Sequence, residues 1–368
     1  MTALIGTLYL DRYFVLRQGS TRGVQVSAAR FEELREAATA DGRVPEWLAD
    51  AARGVWGVDV AGRRVADTVL VRADSSYGYS RASYELNLGC NYDCEHCYLG
   101  LKQFEGLDWP DRQRLLLTMC DAGVVWLQLT GGEPLVDRLF ARVYAYAYDL
   151  GMLLTISTNG SRLWRDDILD LLVTRPVYKV TISVYGATAA GYDTVTRRPG
   201  SFQKFAKGLA AAVAAGLPMS LNLVVTKTNA HELEGMKALA EGYGLPYHVY
   251  SNISPTIAGG SAVLRSQDPA YLRRRAPFTG CNAGHTFFHA DPFGNASICK
   301  VGREPSVPLL EEGVEGLRRL GGIADSLLGR QGACTGCTLQ GTCGTCMPLV
   351  RLYRKADADL RTYCQHGH

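Results

Sequence analysis

Between residues 84 and 250 the chain alternates apolar runs of strand length with stretches of helical spacing, and this alternation limits the architecture more than any other feature. The strand runs are 84–88, 124–130, 153–157, 177–184, 219–226 and 247–250, and helical spacing covers 111–122, 138–150, 163–173, 201–215 and 230–243. Helical connections of this length join parallel strands, and right-handed crossovers curl such units into an open, partial barrel. In barrels of this kind chemistry gathers where the strands end. The fold class expected is therefore α/β, built on a partial (βα)6 barrel over residues 80–255.

The first strand run leads directly into a loop carrying Cys90, Cys94 and Cys97 in a C-x3-C-x2-C spacing. Three thiolates on one tight loop are one ligand short of an iron-sulfur cube, so one iron is left free to bind something else. A zinc knuckle is the plainer reading, and a lone C-x2-C would favour it. The third cysteine and the preceding strand weigh against it. The second strand run ends in Gly131-Gly132-Glu133-Pro134, the third in Ser157-Thr158-Asn159-Gly160 and the fourth in Ser183-Val184-Tyr185-Gly186.

Taken together, C-x3-C-x2-C after a first strand, with His96 just before the third cysteine, resembles the signature of the radical S-adenosylmethionine (SAM) enzymes. The resemblance implies that SAM chelates the open iron through its amino and carboxylate groups. It implies also that the reduced cluster cleaves SAM to methionine and a 5'-deoxyadenosyl radical, which abstracts a hydrogen atom from substrate. Gly131, Gly132, Glu133 and Pro134 are similar to the family's GGEP motif, which receives the SAM amino group: glycine lets the backbone come close and a carboxylate accepts from an ammonium. Asn159 and Ser183 fall in segments that resemble the SAM pocket lining. Residues 192–202 resemble a loop supplying an arginine to the SAM carboxylate, a task suited to a guanidinium; Arg197 is the candidate, with Arg198 beside it and a solvated basic turn as the plain alternative. Asn222, with Val224, is the candidate for the adenine wall. Cys120, in a helical stretch with Leu116 and Leu117, reads as a small apolar core residue.

The last third carries seven cysteines: Cys281-x12-Gly294-x4-Cys299, then Cys334-x2-Cys337-x5-Cys343-x2-Cys346-x17-Cys364. This order resembles the SPASM extension of radical SAM maturases, although a usual C-x3-C step reads C-x2-C here, with Met347 at the expected spacing. The resemblance implies two auxiliary 4Fe-4S clusters over residues 275–368. Cys334, Cys337, Cys343 and Cys364 would hold the distal one, and Cys281, Cys299 and Cys346 the nearer one. Its fourth iron is then open, or is met by His285, His289 or Asp291. A zinc ribbon is the alternative, but the isolated Cys281, Cys299 and Cys364 suit it poorly. A turn at Asp291-Pro292-Phe293-Gly294 suits a hairpin that brings Cys281 and Cys299 together. A helical stretch over 309–328 joins the two halves of the region.

Residues 1–75 hold no catalytic cluster. Strands over 9–16 and 24–27, helices over 28–39 and 45–55 with Ser27 as N-cap, and a strand pair over 58–60 and 68–72 turning at Gly62 make a small winged-helix-like α+β module. It resembles the domain with which peptide-modifying radical SAM enzymes bind a precursor's leader as an added strand; the alternative is an extension that merely covers the barrel.

Composition sets the remaining bounds. Lys+Arg of 39 against Asp+Glu of 36 gives no basic footprint for nucleic acid. No apolar run reaches a membrane span, and the N-terminus lacks the pattern of a signal peptide, so a cytoplasmic location is expected. Eleven cysteines in such a place serve metal rather than disulfides. The function expected is that of a radical SAM/SPASM oxidoreductase holding SAM and three 4Fe-4S clusters. It would install an oxidative crosslink in a ribosomally made precursor peptide and take electrons from a flavodoxin or ferredoxin. The alternatives are a peptide epimerase, a sulfatase-maturating enzyme, a small-molecule dehydrogenase and, in another class, a non-catalytic redox scaffold.

Overall fold

The computed structural model describes residues 4–100, 102–339 and 341–365, so the start of the range 1–75 and the end of the range 275–368 lie outside the described residues. The N-terminal module runs β1 (Leu4–Tyr9), β2 (Arg12–Leu16), β3 (Gly23–Val26), α1 (Ala28–Thr39), α2 (Glu46–Trp56), α3 (Val65–Thr68) and β4 (Val69–Val71). Its sheet has the order β3-β2-β1-β4, which leaves β3 at an edge. Phe31, Leu34, Leu48 and Ala52 from α1 and α2 close over Leu4, Val15 and Val69 in a small core of its own. Ser27 caps α1 by accepting from the Arg30 amide at 3.3 Å, as its residue type predicts.

Two expectations for this module fail. Residues 9–16 are not one strand: the chain turns at Leu10 and Asp11, and β1 pairs with β2 in an antiparallel hairpin. Residues 58–60 form no strand, and β4 instead pairs parallel with β1. The module is an α+β unit of four strands with three helices among the described residues.

The barrel follows as β5 (Arg81–Glu85), α4 (Trp109–Asp121), β6 (Trp126–Thr130), α5 (Phe140–Asp149), β7 (Leu153–Thr158), α6 (Asp166–Thr174), β8 (Lys179–Val184), α7 (Ala189–Thr196), α8 (Ser201–Ala214), β9 (Met219–Val224), α9 (Leu233–Gly242) and β10 (Tyr247–Tyr250). The six strands pair in parallel, each with the next. Strand parity sorts their side chains: Leu127, Leu129, Leu154, Ile156, Val180, Ile182, Leu221 and Leu223 are buried in the core formed with the helices. The opposite parity carries Ser83, Glu85, Gln128, Thr130, Ser157, Ser183 and Asn222, a polar wall on which Gln128 donates to Ser157 Oγ at 2.7 Å.

The N-terminal module packs where these strands begin. Leu16 meets Val125 and Leu153, and Tyr9 sets its ring edge-on against Trp126 at 4.8 Å. Gln18 donates to the carbonyls of Tyr148 and Met152 at 2.7 and 2.9 Å, and Arg72 to those of Val124 and Cys120.

The cysteine-rich region contributes β11 (Phe287–Ala290), β12 (Asn295–Ser297), β13 (Val307–Pro308), α10 (Leu309–Glu312), α11 (Leu320–Leu328), α12 (Met347–Lys355) and α13 (Leu360–Tyr363). Asp291 shapes the β11–β12 turn by accepting from the amides of Phe293 and Asn295. The hairpin does more than approach its own cysteines. β11 pairs parallel with β5, so that the barrel strands continue into one sheet of order β10-β9-β8-β7-β6-β5-β11-β12-β13.

Candidate active site

The loop after β5 lies across the ends of the strands. Gly132 and Glu133 amides donate to the Asn87 and Gly89 carbonyls at 2.9 Å, seating the loop on the end of β6. A Cβ on Gly131 would stand 2.3 Å from Asn87 O and one on Gly132 2.1 Å from Gly89 O, so glycine is required here by the loop's own backbone. Beneath, Arg112 and Asp137 form a buried pair joined at 2.9 and 3.0 Å, with Arg112 also donating to Leu86 O and Asn87 to Asp137. On the other side the amides of Asp93 and Glu95 bond to the carbonyls ending α7, Thr196 and Val195. The Cys90 loop is thus pinned from three directions.

Cys90, Cys94 and Cys97 are all half-buried. Burial pushes the Cys90 thiol up to about 12 and Cys94 well above the ordinary thiol range, and neighbouring thiols add to both shifts. Thiols in so dry a place ionise readily only against a cation, which iron would supply. Three thiols on one loop match the donor type of an iron-sulfur cluster, in which each iron takes one protein sulfur.

Glu133 is fully buried, and its carboxylate accepts from Thr158 Oγ1 and the Asn159 amide at 2.6 Å and from the Leu135 amide at 3.0 Å. Burial raises its pKa to about 7 against those hydrogen bonds. Asn159 donates to Asn91 Oδ1 at 2.9 Å and stands 3.9 Å from Cys90 Sγ, clamping the third strand end to the loop. Ser183 and Asn222 are register partners, side by side on the polar wall. Arg197 ends α7 in the left-handed region at φ 50° and, with Cys90, Lys102, Arg162 and Arg198, lines a cavity of about 500 Å³. The expected loop over 192–202 begins as a helix, because Thr188 caps α7 by accepting from the Gly191 amide.

The C-terminal cysteines fall into two groups. Cys346 lies close enough to Cys299 and Cys281 for their charges to act on it, beyond the larger effect of burial. Cys334, Cys337, Cys343 and Cys364 line a separate cavity of about 220 Å³. The Arg354 guanidinium donates to Cys334 Sγ at 3.4 Å. The three candidates for a fourth ligand are engaged elsewhere: His285 with Asp325 at 3.0 Å, Asp291 in its turn, and His289 in the barrel. Cys120 is half-buried rather than buried, with Arg72 3.3 Å from its sulfur, at the strand-start end.

Sequence reasoning missed one cluster altogether. Glu85, at the end of β5, is fully buried and receives both arms of Arg303 at 2.8 and 2.9 Å. His289, equally buried, meets Ser83 Oγ through Nδ1 at 2.8 Å, and its Nε2 stands 3.4 Å from Glu85. Burial alone would raise the Glu85 pKa; His289 and Arg303 outweigh it and hold the carboxylate at about 2. Lys300 Nζ lies 3.3 Å from Thr130 Oγ1, and burial lowers its pKa. Polar residues at inward parity on the first strand were the available signal.

An open parallel barrel thus carries a three-thiol loop over its strand ends. Residues 84–240 match the Radical SAM superfamily, and the chain carries a radical SAM domain. The AdoMet-dependent heme synthase of Methanosarcina barkeri is 28% identical over 172 residues, 46% of this chain and 49% of that protein. Mycofactocin maturase MftC of Mycobacterium ulcerans is 29% identical over 239 residues, 60% of this chain and 63% of that protein. The matched region thus spans about half to two thirds of these curated relatives. Streptococcus suis SuiB bound to precursor peptide SuiA shares the fold over 99% of this chain and 98% of its own, with a TM-score of 0.60 at 13% identity. No helix among the described residues is long and apolar enough to cross a membrane.

Proposed function

We propose that this chain is a radical SAM maturase of SPASM type that installs an oxidative crosslink in a ribosomally made precursor peptide. The observation that carries the reading is the pairing of β11 with β5. It fastens the cysteine-rich region to the barrel edge, so that the turn after Cys299 delivers Lys300 and Arg303 to the strand ends beneath the Cys90 loop.

When bound, SAM and a reduced cluster at Cys90, Cys94 and Cys97 supply a radical able to take a hydrogen atom from substrate. Gly131 and Gly132 seat the loop, Glu133 fixes the third strand end, and Ser183, Asn222 and Arg197 are the residues offered to SAM. Cys281, Cys299 and Cys346 would hold the nearer auxiliary cluster and Cys334, Cys337, Cys343 and Cys364 the distal one, giving the second electron of the oxidation an exit. The β3 edge would take the precursor's leader as an added strand, and a flavodoxin or ferredoxin would supply electrons. The name MftC, a maturase, and the peptide-bound SuiB structure favour a peptide. The heme synthase among the relatives keeps a small-molecule substrate as the second reading. Cys120, at the far end of the barrel, is poorly placed to serve an epimerase as hydrogen donor.

The test is an anaerobic reaction of reconstituted enzyme with SAM, reductant and candidate precursor peptides drawn from its gene neighbourhood, run in heavy water and read by mass spectrometry. Loss of two hydrogens alongside 5'-deoxyadenosine is expected. Gain of one deuterium without oxidation would make it an epimerase, and 5'-deoxyadenosine with an unchanged peptide would move the search to another substrate.

A further inference from the structure

The nine-stranded sheet ends differently at its two edges. One edge is β13, two residues long and finished by Pro308. At the other, β10 has β9 on one side and no further strand of the sheet on the other. Tyr247-His248-Val249-Tyr250 holds no Lys, Arg, Asp, Glu or Pro, residues that commonly guard a free edge. The carbonyls of Pro246 and Tyr250 accept from the Leu221 and Val225 amides, on the β9 side, at 2.9 and 2.8 Å. Backbone groups alternate along a strand, so the amides and carbonyls of Tyr247 and Val249 face the free edge. Side chains alternate too: Val249 packs on the core with the helices, whereas His248 and Tyr250 take the parity of the polar wall, as register partners of Asn222 and Val224. Both are nevertheless exposed, Tyr250 by 50%, with their rings edge-on at 4.4 Å. Two rings of inward parity that still meet solvent mark the side on which the barrel is open.

We infer that the reacting segment of the peptide substrate lies on β10 as an added strand, its backbone bonded to Tyr247 and Val249 and its inward side chains beside His248 and Tyr250. The inference rests on the maturase reading above. Ser183, Asn222 and His248 form one register row across three strands, so an added strand continues the wall that carries the residues offered to SAM. It would stand two strand spacings, about 10 Å, from Asn222. That continuity favours a substrate over a second copy of the chain, which would shut the open side of the barrel. The β3 edge belongs to the other sheet, so leader and reacting segment hold separate edges.

The experiment uses reconstituted holoenzyme and the precursor peptide, among candidates from its gene neighbourhood, that it alters. Hydrogen exchange at single-residue resolution should show the Tyr247 and Val249 amides becoming protected when peptide is added, while those of His248 and Tyr250, already bonded to β9, change little. A scan of backbone N-methylation through the peptide should lower kcat/KM by about tenfold at alternate positions near the altered residue and little between them, since only every second amide of an added strand meets the edge. Tyr247→Pro removes one edge donor that the fold does not use. It should raise the KM for peptide and leave peptide-independent SAM cleavage unchanged. Absence of peptide-dependent protection at Tyr247 and Val249, or a uniform N-methylation profile, would overturn the inference. So would protection that appears without peptide and grows with enzyme concentration, the sign of a second copy on this edge. Failure of the unmodified enzyme to alter any peptide would overturn the maturase reading and this inference with it, a result separable from one confined to β10.

Discussion

Glu85 and Arg303 lie 218 positions apart in the chain and meet through two hydrogen bonds of 2.8 and 2.9 Å, with the carboxylate wholly out of solvent. Removing one partner strands the other. Arg303→Met should lower the stability of the cluster-free protein by about 3–5 kcal/mol, and Glu85→Gln combined with Arg303→Met should recover much of that in chemical denaturation.

The same pair sets an acid limit. The Glu85 pKa is held at about 2 when folded, against an ordinary value of 4.5. Its contribution is therefore complete above the unfolded pKa and declines as pH falls from about 4.5 toward 2. Denaturation midpoints of the cluster-free protein over that window should fall more steeply for the unmodified chain than for the Glu85→Gln/Arg303→Met double variant.

Gly132→Ala drives a methyl against Gly89 O, a backbone atom that can yield only by moving the Cys90 loop. On the three-cluster reading proposed above, iron at the Cys90 loop should be lost while iron held by the C-terminal cysteines persists, as read by iron content and electron paramagnetic resonance. Retention of all three clusters would show that the loop tolerates displacement.

The Arg354 guanidinium on Cys334 Sγ should raise the potential of a cluster held there, since hydrogen bonds to ligating sulfur favour the reduced state. On the proposed two-cluster reading of this region, Arg354→Gln should shift the distal midpoint negative by on the order of tens of millivolts, leaving the nearer one unmoved in a redox titration.

Leader docking on the N-terminal module predicts that adding the precursor protects the amides of β3, Gly23–Val26, from hydrogen exchange. Protection confined to the barrel mouth would assign the module another task.

Much of the barrel was legible in sequence because its strands obey a simple parity and its unusual residues sit where strands end. Gly131-Gly132-Glu133 announced itself as a chemical site, but its glycines serve the approach of the Cys90 loop as directly as that of any ligand. The hairpin turn at Leu10 and Asp11 escaped notice because it carries no glycine or asparagine, and Leu10 takes φ 55° regardless. α7 was hidden by its Gly191 and its threonines, residues of low helical preference that Thr188 offsets by capping. The junction of β11 with β5, and with it the Glu85–His289–Arg303 cluster, joins segments some two hundred residues apart. Local periodicity carries no information about which distant edge a short strand will choose.

The N-terminal module abuts the strand starts at Trp126 and Leu153, while the Cys90 loop covers the strand ends. Five residues of β6 separate the two levels by about 17 Å. On the proposed reading the scaffold is a ruler. A peptide tethered at β3 needs at least about five extended residues to cover that height, and more to round the rim. Spacers shorter than this would leave the target residue out of reach however well the leader binds. Longer ones would be tolerated, because the entropy of closing a loop grows only with the logarithm of its length.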